Sequence, residues 1–130
     1  MKKLFIVIMT GFFLWSCNNN STSIELNDGQ KWEVNQEMKP FVKNSSELVT
    51  NYINIKDNDY KTLASELKAQ NENLIKSCTM QGKSHDELHK WLHPNLEMVT
   101  ALEKAADSKQ AETIVKQLQE SYQEYSNYFQ

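Results

Sequence analysis

Beyond residue 36, apolar side chains recur at three- and four-residue steps, the period of one helix face. Met38, Phe41, Val42, Ser45, Leu48, Val49 and Tyr52 form the first stripe. They predict a helix over about 36–55, with Asn35 as N-cap and Pro40 just past the first turn. Asp57, Asn58 and Asp59 supply a turn and a cap, and Tyr60, Leu63, Ala64, Leu67, Leu74, Ile75 and Cys78 mark a second stripe interrupted at Gln70 and Asn71. Thr79 to Lys83 ends that helix. Ser84 and Glu87 have the spacing of a capping box. His85, Leu88, Leu92, Leu96, Val99 and Leu102 follow as a third stripe, with Pro94 expected to bend the helix by freeing the carbonyl of Lys90. Asp107 and Ser108 cap a fourth helix carrying Ala111, Ile114, Val115, Leu118, Tyr122, Tyr125 and Phe129.

Four segments of similar length joined by short links favour antiparallel neighbours. The fold expected for residues 24–130 is therefore all-α, an up-down-up-down four-helix bundle. The pattern also offers a short β-hairpin ahead of it: Ile24 to Leu26 and Lys31 to Val34 alternate apolar and polar around Asn27-Asp28-Gly29-Gln30, and Asp-Gly is a hairpin turn signal. An isolated hairpin is marginal unless it packs on something.

The first residues follow a different logic. Lys2 and Lys3 precede an apolar run from Leu4 to Leu14, too short for the roughly 20 residues of a bilayer span and suited to a secretory signal. The run closes on Leu14-Trp15-Ser16-Cys17. This resembles the lipobox of bacterial lipoproteins, with Trp15 departing from the usual small or aliphatic residue. The resemblance implies a signal peptide over 1–16, cleavage before Cys17, acylation of that thiol with palmitate-type chains, and a polar tether over 17–23. It places the protein in the bacterial cell envelope, anchored by lipid, with the outer membrane favoured over the inner.

Composition sharpens this picture. The chain has 130 residues, enough for one domain. Its 14 basic residues are all Lys, set against 17 acids. Loss of Lys2 and Lys3 with the signal leaves 12 Lys and a net charge of −5. An acidic body has no footprint for nucleic acid and no attraction to anionic lipid, so attachment falls to the acyl chains. Of the two Cys, acylation of Cys17 leaves Cys78 as a lone thiol in an exported protein, where it is buried, paired with another chain or bound to a ligand.

An antiparallel bundle gathers one pole from the start of helix 1, the end of helix 2, the start of helix 3 and the end of helix 4. Cys78, Met80, His85 and His89 lie there, with Met38 and His93 as auxiliary candidates. The imidazoles are spaced i, i+4 and share a face, while thiolate and thioether sulfur suit copper and a Cys-plus-His set suits zinc. The expected function is a non-enzymatic, membrane-anchored protein binding copper or zinc at this pole. Each candidate also has a plain reading: Cys78 and Met38 as core, the His residues as surface. The alternative function is a structural or interaction module docking an envelope protein, with Trp32 and Trp91 as anchors or as the floor of the core. A third is a haem held between Met38 and His85 or His89, non-covalent because no Cys-x-x-Cys-His occurs. No nucleophile with an attendant base, glycine-rich phosphate loop or His-Glu-x-x-His stands out. The stretch Cys78 to Leu92, Cys-x-Met-x-Gly-x-x-His-x-x-Leu-His-x-Trp-Leu, resembles small helical-bundle lipoproteins of the Bacteroidetes, which implies a fold and no activity.

Overall fold

The computed structural model describes residues 23–130. The signal-peptide and Cys17 readings, and most of the tether, lie outside the described residues. Four helices make up the body: α1 (Lys39–Asn54), α2 (Tyr60–Ser77), α3 (Gly82–Glu103) and α4 (Ser108–Tyr128). A single 3-10 turn, Gln36–Met38, leads into α1. None of these helices is long and apolar enough to cross a membrane.

Cross-helix contacts report the direction of each helix. Tyr60 at the start of α2 donates to the Ala105 carbonyl just past α3, and Asn71 donates to Asn95 midway along the same pair. Asn44 of α1 donates to Gln70 of α2, and Trp91 and Asn95 of α3 both reach Ser121 of α4. Numbers rise on one helix as they fall on the next from Tyr60–Ala105 to Asn71–Asn95, from Asn35–Ser77 to Asn44–Gln70, and from Trp91–Tyr125 to Asn95–Ser121, so neighbours run antiparallel. Tyr52 and Val115 line one cleft between α1 and α4 and close the ring. The result is an all-α, up-down-up-down four-helix bundle.

The apolar stripes supply its core. Val42, Val49, Leu63, Leu67, Leu74, Leu88, Leu92, Val99, Leu102, Val115 and Leu118 are buried there. Ile75 is the exception among the stripe residues, standing 49% exposed. The two positions that break the α2 stripe behave differently from each other: Asn71 is buried and bonds Asn95, while Gln70 stays near the surface. With Ser45 and Ser121, these two asparagines form a buried polar layer across the bundle. Burial is tolerable there because Asn71, Asn95 and Ser121 bond in series and Ser45 donates to the Phe41 carbonyl.

Caps follow expectation at two helices. Asp59 accepts from the Thr62 N–H at 3.1 Å, and Asp107 accepts from the Gln110 N–H at 2.8 Å. At the other two the structure differs. Asn35 makes no capping bond; its amide donates to the Ser77 carbonyl at 2.9 Å and its oxygen accepts from the Thr79 N–H at 3.2 Å. It ties the entrance of α1 to the exit of α2, satisfying groups left free by a helix end. Nor do Ser84 and Glu87 form a capping box. Helix α3 starts earlier, at Gly82, so Ser84 lies within the helix, its hydroxyl donating to the Gln81 carbonyl. Gly82 adopts φ +68°, a left-handed conformation that side chains with a Cβ resist. Pro40 sits at the first positions of α1, where its missing N–H has no intrahelical acceptor to lose. Helix α3 runs unbroken through Pro94.

The hairpin forms only at its tip. Asn27 and Gln30 exchange both backbone hydrogen bonds at 2.9 Å, around Asp28 and Gly29 with positive φ. Beyond that turn the second arm leaves the first and pairs in parallel with the chain's last residues. The Trp32 N–H donates to the Tyr128 carbonyl, the Gln130 N–H to the Trp32 carbonyl, and the Val34 N–H to the Gln130 carbonyl, all at 2.8–3.0 Å. Ile24, Trp32, Val34 and Phe129 are buried by this closure, which resolves the marginality of a lone hairpin. Phe129, expected on the α4 face, is instead the extended residue at its C-cap and stacks on Tyr125.

Candidate metal centre

The helical repeat sets His85, His89 and His93 one above another on α3, and their rings meet. Nε2 of His89 lies 3.0 Å from Nε2 of His85, and Nδ1 of His89 lies 3.1 Å from Nε2 of His93. The first two rings meet edge to face with centroids 4.4 Å apart. His85 and His89 are half-buried and His93 is exposed. Burial, then the neighbouring His85 and His93, push the His89 imidazole below its ordinary pKa, with Asp86 opposing weakly. A neutral imidazole has one N–H, so the middle ring donates to one neighbour and accepts from the other. When Nδ1–H of His89 donates to His93, the lone pair on its Nε2 faces His85. That is the arrangement in which an outer hydrogen bond orients a metal-ligating histidine.

The sulfur candidates are placed otherwise. Met38 is fully buried in the core, with no exposed surface. Cys78, a free thiol at the C-cap of α2, and Met80 in the following link are half-buried and packed against the same core. Both residues pack readily as hydrophobes, so burial governs where their side chains settle. Among the described residues, no three His, Cys, Asp or Glu side chains converge to hold a metal ion. Of the residues singled out from sequence, the structure thus brings together His85, His89 and His93, and adds no Cys78 donor to make a three-residue centre.

A charged clasp beside the histidines was not evident from sequence. Glu87, only 3% exposed, accepts from the Glu25 N–H and from the Lys90 ammonium, each at 2.8 Å. Burial alone would raise its carboxyl, yet Lys90, the Glu25 N–H and the charge of Lys83 hold it below the usual carboxylate range. Lys90 also reaches the Ser23 carbonyl, and Lys83 pairs with Glu25 at 3.7 Å while lying over the Trp32 ring. The clasp pins residues 23–32 to the first two turns of α3, the turns that carry His85 and His89. Its one sequence signal is the i, i+3 spacing of Glu87 and Lys90. Trp32 and Trp91 are both buried; their indole N–H groups donate to the carbonyls of Glu25 and Ser121. They floor the core and leave little surface for a partner.

No protein-family model matches this chain, and neither a curated protein nor a solved structure is significantly similar to it.

Proposed function

We propose that the protein is a lipid-anchored, non-enzymatic component of the bacterial envelope that binds a divalent transition metal between His85 and His89. The observation that carries the metal reading is the 3.0 Å separation of the two Nε2 atoms. Metal–imidazole bonds are about 2.0–2.1 Å, so two nitrogens on one ion at angles of roughly 90–109° lie about 2.9–3.3 Å apart. The pair therefore needs little rearrangement to chelate. Nitrogen donors without sulfur favour Zn(II) or Cu(II) over Cu(I). His93, bonded to the far side of His89, holds that ring in place.

The anchor reading rests on Leu14-Trp15-Ser16-Cys17 after a short apolar run. Cys17→Ala is expected to abolish acyl labelling and release the protein from membranes. For the metal, full-length protein is dialysed against Zn(II) and Cu(II). Retained metal is expected to fall at least tenfold in His89→Ala and to stay unchanged in Cys78→Ser. Equal retention by wild type and His89→Ala refutes the chelate.

A second reading, docking of an envelope partner, is favoured by a groove of about 850 Å³ between α3 and α4. Met98, Ala101 and Tyr128 give it apolar wall, and Glu97, Glu120 and Glu124 line it with acid. Removal of the acids with no loss of partner binding would refute this reading.

A further inference from the structure

The His85–His89 pair fills two positions of an ion that usually takes four in a tetrahedral site. No third His, Cys, Asp or Glu joins it among the described residues. Residues 1–22 offer little more: they contain no His, Asp or Glu, and their one Cys is the residue read as acylated. The remaining donors must come from solvent or from another molecule.

Resting on the chelate reading above, we infer that a second copy of this chain completes the site, so that one Zn(II) is held by His85 and His89 from each of two copies. The placement of the pair suits this. Both imidazoles are half-buried on α3, in the turns that the Glu87–Lys90–Glu25 contacts tie to the preceding segment. Little side-chain freedom is lost on binding, because His89 is already fixed between its two neighbours. The same side of the bundle carries apolar surface. Ile75 is half-exposed on α2 and shares a shallow cleft with Leu96, which lies three residues beyond His93 on α3. A two-fold axis through the metal would set these patches beside their equivalents, since a symmetric interface uses one surface twice. Anchoring confines both copies to one membrane plane and raises their effective concentration.

The test is the mass and metal content of the full-length protein in detergent micelles, measured by light scattering that separates protein from detergent. The probe is zinc chloride alone. The expected result is a doubling of protein mass on adding Zn(II), with one Zn per two chains and reversal by a chelator. His85→Gln and His89→Gln should each stay helical by circular dichroism and fail to double. One Zn per chain at unchanged mass overturns the shared site and leaves the chelate standing. Absence of Zn binding in the wild type overturns both. A doubling that persists in His89→Gln overturns the shared site, because the contact is then independent of the metal.

Discussion

Tyr122→Phe should make this protein more stable. The side chain is 5% exposed on α4, and its hydroxyl is the one buried side-chain polar atom without a hydrogen-bond partner among the described residues. Burial raises its phenol pKa, offset in part by the Asn95 amide and the Ser45 hydroxyl nearby. Neither group forms a hydrogen bond with it: Ser45 gives its proton to the Phe41 carbonyl, and Asn95 bonds Asn71 and Ser121. A buried hydroxyl left unpaired forfeits about 1–3 kcal/mol of hydration. Weak polar contact with Ser45 and Asn95 returns part of this, so removal should gain about 1 kcal/mol. For a body of this size that is a rise of about 4 °C or more in Tm. The assay is urea unfolding followed by circular dichroism, reading the midpoint at constant m. Tyr60→Phe is the control of opposite sign. Its hydroxyl donates to the Ala105 carbonyl at 3.3 Å, and its loss should destabilise by about 0.5 kcal/mol. A Tyr122→Phe variant less stable than wild type refutes the argument, because it means that the hydroxyl is satisfied.

Phe129→Ala removes a fully buried ring stacked on Tyr125 and loosens the pairing with Trp32; a loss of about 3 kcal/mol is expected in the same urea assay. The Glu87 carboxyl, held low in the folded chain, stabilises fully above its unfolded pKa of about 4.3, and that stability is lost as pH falls through the lower folded value. In metal-free buffer the stability gap between wild type and Glu87→Gln should therefore be constant near pH 7 and shrink below about pH 4. Burial pushes the Tyr125 phenol up to about 12, so its contribution is complete below the unfolded value of about 10 and is lost as pH rises through 12. Ultraviolet titration should show phenolate absorbance from Tyr125 appearing late, with Tyr125→Phe reducing that late absorbance by one tyrosine's share. Should all the tyrosines ionise together near pH 10 while the protein stays folded, the burial argument fails.

The periodicity of Val42, Val49, Leu63, Leu67, Leu74, Leu88, Leu92, Val99, Val115 and Leu118 was enough to specify four helices and their buried faces, because hydrophobic burial is repeated locally along each helix. Asp59 and Asp107 were legible as caps for the same reason: a cap acts over three residues. The i, i+4 spacing of the histidines likewise placed their rings on one face. What crosses between elements was not legible. Asn35 reads as a cap and serves as a bridge to α2; Glu87 reads as a first-turn acid and is buried against Glu25 and Lys90. Trp32 to Val34 read as a hairpin arm and pair instead with the C-terminal residues, more than ninety positions away. Sulfur donors at Cys78 and Met80 fall near the histidines in sequence, but core packing decides where they rest. Local pattern carries the backbone's helical preferences and burial faces. Partners chosen among distant polar groups depend on which surfaces the assembled bundle brings within about 3 Å, and that is decided only when the helices have packed.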